Sequence, residues 1–192
     1  MDLFIWTVAQ NGVLSGDNLR KKGWTGPTRC PLCCHAEETT IHLLLSCPFA
    51  SEVWNITLGL GALIPSIPQD FQLLFTSWPA LCPFRTSNQG HLTATWKALP
   101  KFILWKLWLE RNHRVFREEK RTPAQVAVKI KSLFSESASY FIKTSNSKAL
   151  GIEEAKWIRQ LGLQTTPPRG PSSTSPYSWE IRLDKNELEE WT

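Results

Sequence analysis

The sequence predicts a mostly α-helical chain: a small N-terminal helical domain, a helical extension and a disordered tail. Three observations predict it. Apolar residues recur at helical spacing, with Trp105 and Trp108 three apart and Val126, Ile130, Leu133, Ser137 and Phe141 on one face of a single helix. Helix starts are marked by capping residues, Ser15 and the box Thr122-Pro123-Ala124-Gln125. Proline and glycine punctuate the stretches between, at Gly59, Gly61, Pro65, Pro68, Pro79 and Pro83.

The elements follow in order. Residues 2–11, DLFIWTVAQN, suit a first helix. Ser15 caps a second over 16–22, with Gly23 at its C-terminal end. Thr39 or Thr40 caps a short helix in IHLLLS. Pro48 opens a helix to Leu58 that carries Val53 and Trp54 inward and stops at Gly59. Residues 61–70 read as a loop, 71–77 as a short helix and 78–88 as another loop. A long helix fills 89–120, and Pro100 is expected to kink or interrupt it. The capping box at Thr122 starts the next helix, and a last one is expected over 152–161. From 165 to 178, TTPPRGPSSTSPYS has linker composition. The expected division is a domain at 1–60, a helical extension at 61–163, and a Pro/Ser-rich linker with an acidic tail at 164–192.

Within this frame, Cys30, Cys33, His42 and Cys47 stand as C-x2-C-x8-H-x4-C. Three thiolates and an imidazole make a closed tetrahedral set for Zn²⁺, with no position left for a substrate, so the metal is expected to be structural. Cys-Pro-Leu-Cys is a chelating turn. His42 and Cys47 are five apart, and Pro48 pushes Cys47 out of helical geometry, back toward the ion. Cys34 can replace Cys33 in the set, and His35 can replace His42. Cys82 reads as a buried or idle thiol. With no secretory signal at the N-terminus, the cysteines favour a metal over disulfides and a reducing compartment, nucleus or cytoplasm. No apolar run is long enough for a membrane span. Ten Trp are many for this length. Trp6, Trp24 and Trp54 flank the cluster and read as its cover rather than as platforms for bases.

Charge is uneven. The net charge is +5 with pI near 9.0. Lys97, Lys101, Lys106, Arg111, Arg114, Arg117, Lys120 and Arg121 against Glu110, Glu118 and Glu119 leave the same +5 excess in the one segment 97–121. Arg20, Lys21, Lys22 and Arg29 form a second basic cluster beside the ligands, whereas the tail from Ile181 is acidic. Two basic clusters fit contact with the phosphates of RNA or DNA. The candidate contacts are Arg20, Lys21, Lys22, Arg29, Lys106, Arg111, Arg114 and Arg117.

The surroundings of the ligands carry a resemblance. Phe4, Trp6, Asn18-Leu19-Arg20, Gly23, the four ligands, Glu38-Thr39 and Trp54 together resemble the zinc-binding domain found downstream of the polymerase in plant LINE-type (non-LTR) reverse transcriptases. Trp108-Leu109-Glu110-Arg111-Asn112-His113-Arg114-Val115-Phe116 is similar to the W-K-E-R-N-x-R-x-F signature that follows this domain in the same elements. The likeness covers residues 3–60 and 96–120. It implies Zn²⁺ as cofactor, nucleic acid as partner and a reverse transcriptase as neighbour.

The enzymatic neighbours' own residues are not legible here. A polymerase palm needs paired aspartates for two metal ions. Asp2, Asp17, Asp70 and Asp184 are the only aspartates, none adjacent to another, and no Y-x-D-D stretch exists. The acidic residues do not offer the convergent pattern of an RNase H site. Residues 164–170, QTTPPRG, resemble the linker that leads into RNase H in the family, but no K-x-N-x-D-G strand follows. The chain is therefore expected to be a non-enzymatic accessory that binds RNA or DNA, separated from both enzymatic neighbours. The alternatives are a protein-interaction module docking through its Trp-rich helices, and a retroelement relic without activity.

Overall fold

The computed structural model of the 192-residue chain describes residues 1–59, 67–82, 90–143 and 159. The expected helix over 152–161 (Arg159 apart), the linker and the acidic tail lie outside the described residues, as do the side chains of Ser137 and Phe141.

The fold is mostly helical. In chain order it comprises α1 (Asp2–Ala9), α2 (Gly16–Lys21), a π-helical turn (His42–Ser46), α3 (Pro48–Leu58), α4 (Phe71–Ser77), a 3₁₀ turn (Trp78–Leu81), α5 (Gly90–Phe116) and α6 (Pro123–Lys143). There is no β-strand among the described residues; one isolated antiparallel bridge pairs Arg29 with Glu37.

Local chemistry explains the boundaries. Pro48 occupies the first turn of α3, where its missing N–H is not needed, and Gly59 ends the helix at φ 63°. Only glycine takes that left-handed turn without strain. The Asp70 side chain accepts the N–H of Leu73 at 2.8 Å and starts α4. At α6, the Thr122 hydroxyl accepts the Gln125 N–H at 3.3 Å while the Gln125 side chain accepts the Thr122 N–H at 2.9 Å. That is the reciprocal box read from the sequence. Ser15 does precede α2, but its hydroxyl is engaged elsewhere: it donates to Asp17 at 2.6 Å and lies 2.9 Å from the Thr40 hydroxyl.

The expected interruption at Pro100 and the expected helix end at residue 120 are corrected. Helix α5 runs unbroken from Gly90 through Pro100 to Phe116. A proline inside a helix removes one backbone bond, but tertiary packing supplies most helical stability, and here residues 102–110 are all buried. A helix enclosed on every side is the central column of its fold. α1, α3, α6 and the π turn all pack on it. Helix α5 also ends at Phe116, short of residue 120, which leaves 117–122 to turn the chain into α6.

One hydrophobic cluster extends from Val8 to Phe134 and draws on both sides of residue 60. Phe4 of α1 meets Trp105 edge-on at 5.1 Å, which confirms Trp105 and Trp108 as packing residues. Val126 and Ile130 are buried and Leu133 half-buried, as the stripe on α6 requires. Trp78 and Trp96 stack at 4.6 Å, and each indole N–H donates to the other's carbonyl, at 2.8 and 2.9 Å. These reciprocal bonds satisfy the indole N–H groups of both Trp78 and Trp96 in the core.

Candidate metal centre

Three short segments deliver the ligands. The first is the turn Cys30-Pro31-Leu32-Cys33. The Cys30 N–H donates to the Ala36 carbonyl at 2.8 Å and the Cys34 N–H to the Cys30 carbonyl at 2.8 Å, which closes a tight knuckle. Cys34 takes the strain of that reversal at φ 61°. The second segment is the π turn. Thr39 Oγ accepts the N–H of His42 at 3.0 Å, and the Cys47 N–H donates to the His42 carbonyl at 2.7 Å. That bond spans five residues, one π turn, and explains the odd spacing of His42 and Cys47. The third is the start of α3. Cys47 is extended, at φ −61° and ψ 133°, as a residue before proline should be.

The donor atoms of Cys30, Cys33, His42 and Cys47 all lie within 4.8 Å of one another and could hold a metal ion. Cys30 Sγ is 3.9 Å from Cys47 Sγ, and Cys33 Sγ is 3.3 Å from His42 Nε2. A tetrahedron built on Zn–S and Zn–N bonds of about 2.3 and 2.0 Å has edges of roughly 3.8 Å between sulfurs and 3.5 Å between sulfur and nitrogen. The donor set therefore fits zinc in chemistry and in size. Cys30 and Cys47 are fully buried, and Cys33 and His42 half-buried. Burial disfavours free thiolates and favours their sharing a cation.

Electrostatics within the set is asymmetric. Cys30 is pushed far above the usual thiol range because it donates to Cys47 and is buried; the amides of Cys33 and Leu32 partly oppose this. Cys47 is held below that range because it accepts from Cys30, with the N–H groups of Ala50 and Phe49 at the start of α3 adding to the effect.

The alternatives for the ligand set resolve. Cys34 and His35 are exposed and outside the cluster, and the imidazole Nδ1 of His35 turns to the Cys33 carbonyl. Cys82 is buried and free. Trp54 is fully buried and its indole donates to the Leu44 carbonyl at 2.9 Å, so it does back the π turn. The other two flanking tryptophans correct the expectation of a cover. Trp6 is 63% exposed and Trp24 40% exposed. The Trp24 ring folds over Gly26, where a Cβ would meet it at 2.0 Å.

The basic residues divide sharply. Arg20, Lys21, Lys22 and Arg29 are exposed beside the knuckle; Arg20 reaches Glu37 at 3.4 Å and Lys21 the Asn18 side chain at 2.9 Å. Arg117 is exposed at the end of α5. Lys106, Arg111 and Arg114 correct the expectation of a basic rim along α5. Lys106 and Arg111 are buried at 6% and 5% exposure, and the Arg114 side chain is 9% exposed. Arg111 makes a two-pronged ion pair with buried Glu38, at 2.7 and 3.2 Å. Glu38 in turn accepts the N–H of Gly16 at 3.1 Å. Arg114 donates to Glu110 at 2.7 Å and to the carbonyls of Pro31 and Leu32 at 3.1 and 2.8 Å. These cations serve the interior, because α5 is enclosed and its charges must find partners there. The Glu110–Arg114 spacing of four was a readable sign of such pairing; the Glu38–Arg111 pair, 73 residues apart, had none.

Residues 1–54 match the family described as zinc-binding in reverse transcriptase. No curated protein and no solved structure matches the chain. No helix among the described residues is long and apolar enough to cross a membrane. A zinc-family segment whose four candidate ligands converge on one point makes the N-terminal part of this chain a zinc-binding module.

Proposed function

We propose that the chain is a zinc-stabilised accessory of a LINE-type reverse transcriptase that binds RNA or DNA and performs neither polymerase nor RNase H chemistry. Cys30, Cys33, His42 and Cys47 hold the ion. The observation that carries the reading is the exposed group Arg20, Lys21, Lys22 and Arg29, with Arg29 adjoining Cys30 in sequence and Arg20 paired to Glu37, which forms the backbone bridge with Arg29. Four protein donors leave zinc no open position, so the ion stiffens the surface that presents these charges rather than activating water. The cations supply affinity without base information. A reducing compartment, nucleus or cytoplasm, suits the thiolates.

Binding to labelled single-stranded and duplex oligonucleotides over a salt series tests this. If about four phosphates are neutralised, log K falls against log salt with a slope of roughly −3 on single strands and nearer −4 on duplex. Lys21→Ala with Lys22→Ala should flatten the slope by up to about two units on every sequence. A folded double variant with an unchanged slope refutes the basic rim.

A second reading is favoured by a specific observation. Leu3 and Trp6 on α1 are 77% and 63% exposed. Exposed large apolar groups of this kind mark protein docking, which high salt does not weaken.

A further inference from the structure

Arg114 stands 67 residues beyond the last ligand, yet it touches two of the three ligand-bearing segments. Its Nη1 donates to the carbonyls of Pro31 and Leu32, the two residues inside the C-x2-C turn, at 3.1 and 2.8 Å. Its guanidinium carbon lies 4.4 Å from the centre of the Phe49 ring, two residues after Cys47. The carbonyls of Pro31 and Leu32 belong to the same peptide groups as the N–H groups of Leu32 and Cys33. A cation on the carbonyl end of a peptide fixes its plane and polarises its N–H. Arg114 itself is held in place. Glu110, almost fully buried, accepts from its Nε at 2.7 Å, and Glu110 is locked by the Arg121 N–H at 2.9 Å and side chain at 3.3 Å. Arg114 also closes on the Arg121 carbonyl at 2.9 Å.

We propose that Arg114 is a positioning residue of the metal centre: it clamps the Cys30–Cys33 turn against the start of α3, so that the ligands on both segments face one ion. The inference rests on the zinc reading above. It makes the turn between α5 and α6 part of the metal site, far outside the segment that carries the ligands. Partners of this kind, behind the ligands, typically account for about 10–100-fold of metal affinity.

The test uses the full chain loaded with zinc, with release followed by a chromogenic chelator. Arg114→Gln, with unchanged far-UV circular dichroism, should release zinc about 10–100-fold faster than wild type. Arg114→Lys keeps the charge but loses the fork, and should fall between. Arg117→Gln, exposed on the same helix end, should match wild type. The visible absorption of the Co²⁺-loaded protein separates positioning from bulk stability. A shifted ligand-field band in Arg114→Lys supports a role at the site, and a band and release rate like wild type overturn it. If Arg114→Gln does not fold, the Lys variant alone decides. A wild-type chain that binds no zinc overturns the zinc reading and this inference together, whereas wild-type zinc binding with an indifferent Arg114 overturns only the latter.

Discussion

Glu38 and Arg111 are each nearly sealed from water, and the carboxylate has both oxygens engaged by the guanidinium. A pair like this is weak evidence for net stabilisation, because desolvation offsets most of the attraction. Removing one partner is another matter, since the other charge stays buried alone. Arg111→Leu should therefore lower unfolding stability by about 3–5 kcal/mol, read from urea denaturation. Replacing both residues together, Glu38→Leu with Arg111→Leu, should lose less than the single change. The tryptophans make a similar contrast. Trp54 is fully buried with its indole bonded to Leu44, whereas Trp24 is 40% exposed. Trp54→Ala should cost about 3–5 kcal/mol, and Trp24→Ala should stay within about 1 kcal/mol. A Trp24 variant that is stable but weak on single strands would reassign that ring to base stacking.

Helix boundaries were legible wherever a residue with its own stereochemistry sat at the end. Helix α3 begins at Pro48 and stops before Gly59, and α4 starts after Asp70, as the sequence led us to expect. Where no such residue stands, the boundary drifted: α1 ends at Ala9 and α5 at Phe116. The π turn was not legible, because one extra residue in a turn leaves no mark in a pattern of leucines. The zinc ligands were legible, since chelation is a local matter of spacing. The roles of Arg111 and Arg114 were not, because which way a cation points on a helix depends on what encloses the helix. Two end signals can be tested directly. Gly59→Ala forces a side chain into φ 63° and should cost about 1–2 kcal/mol. Thr122→Ala breaks the box at α6 and should cost about 0.5–2 kcal/mol. Both are read as shifts in thermal midpoint, and neither should alter zinc content.

On the scale of the whole molecule, the metal and the core are one system. The ligands Cys30 and Cys47 are themselves members of the cluster that runs to Phe134. Binding energy at a structural zinc site is folding energy, about 10–16 kcal/mol in small peptides. Chelation should therefore unfold helices well beyond residue 54, in one transition seen alike by circular dichroism and by tryptophan fluorescence. Metal loss confined to 24–55, with α5 and α6 intact, would refute that coupling. Acid should act in the same direction. Zinc needs deprotonated ligands, so its stabilisation is present at neutral pH and is lost as pH falls and protons compete for the thiolates and His42. Cys30→Ser, Cys33→Ser, His42→Ala and Cys47→Ser should each release metal, whereas Cys82→Ser should retain it; atomic absorption of the purified variants decides. Retention of zinc by a Cys30→Ser, Cys47→Ser double variant would remove the site.

The Glu38–Arg111 pair also bears on how such a segment can travel between genes. A knuckle moved without its helix would carry Glu38 as an orphan charge in an apolar setting. A helix moved without its knuckle would do the same with Arg111. Exchange by recombination therefore favours a cassette that spans both, some 73 residues of chain, or a donor that supplies an equivalent partner; a breakpoint that orphans either charge should cost about 3–5 kcal/mol of folding stability.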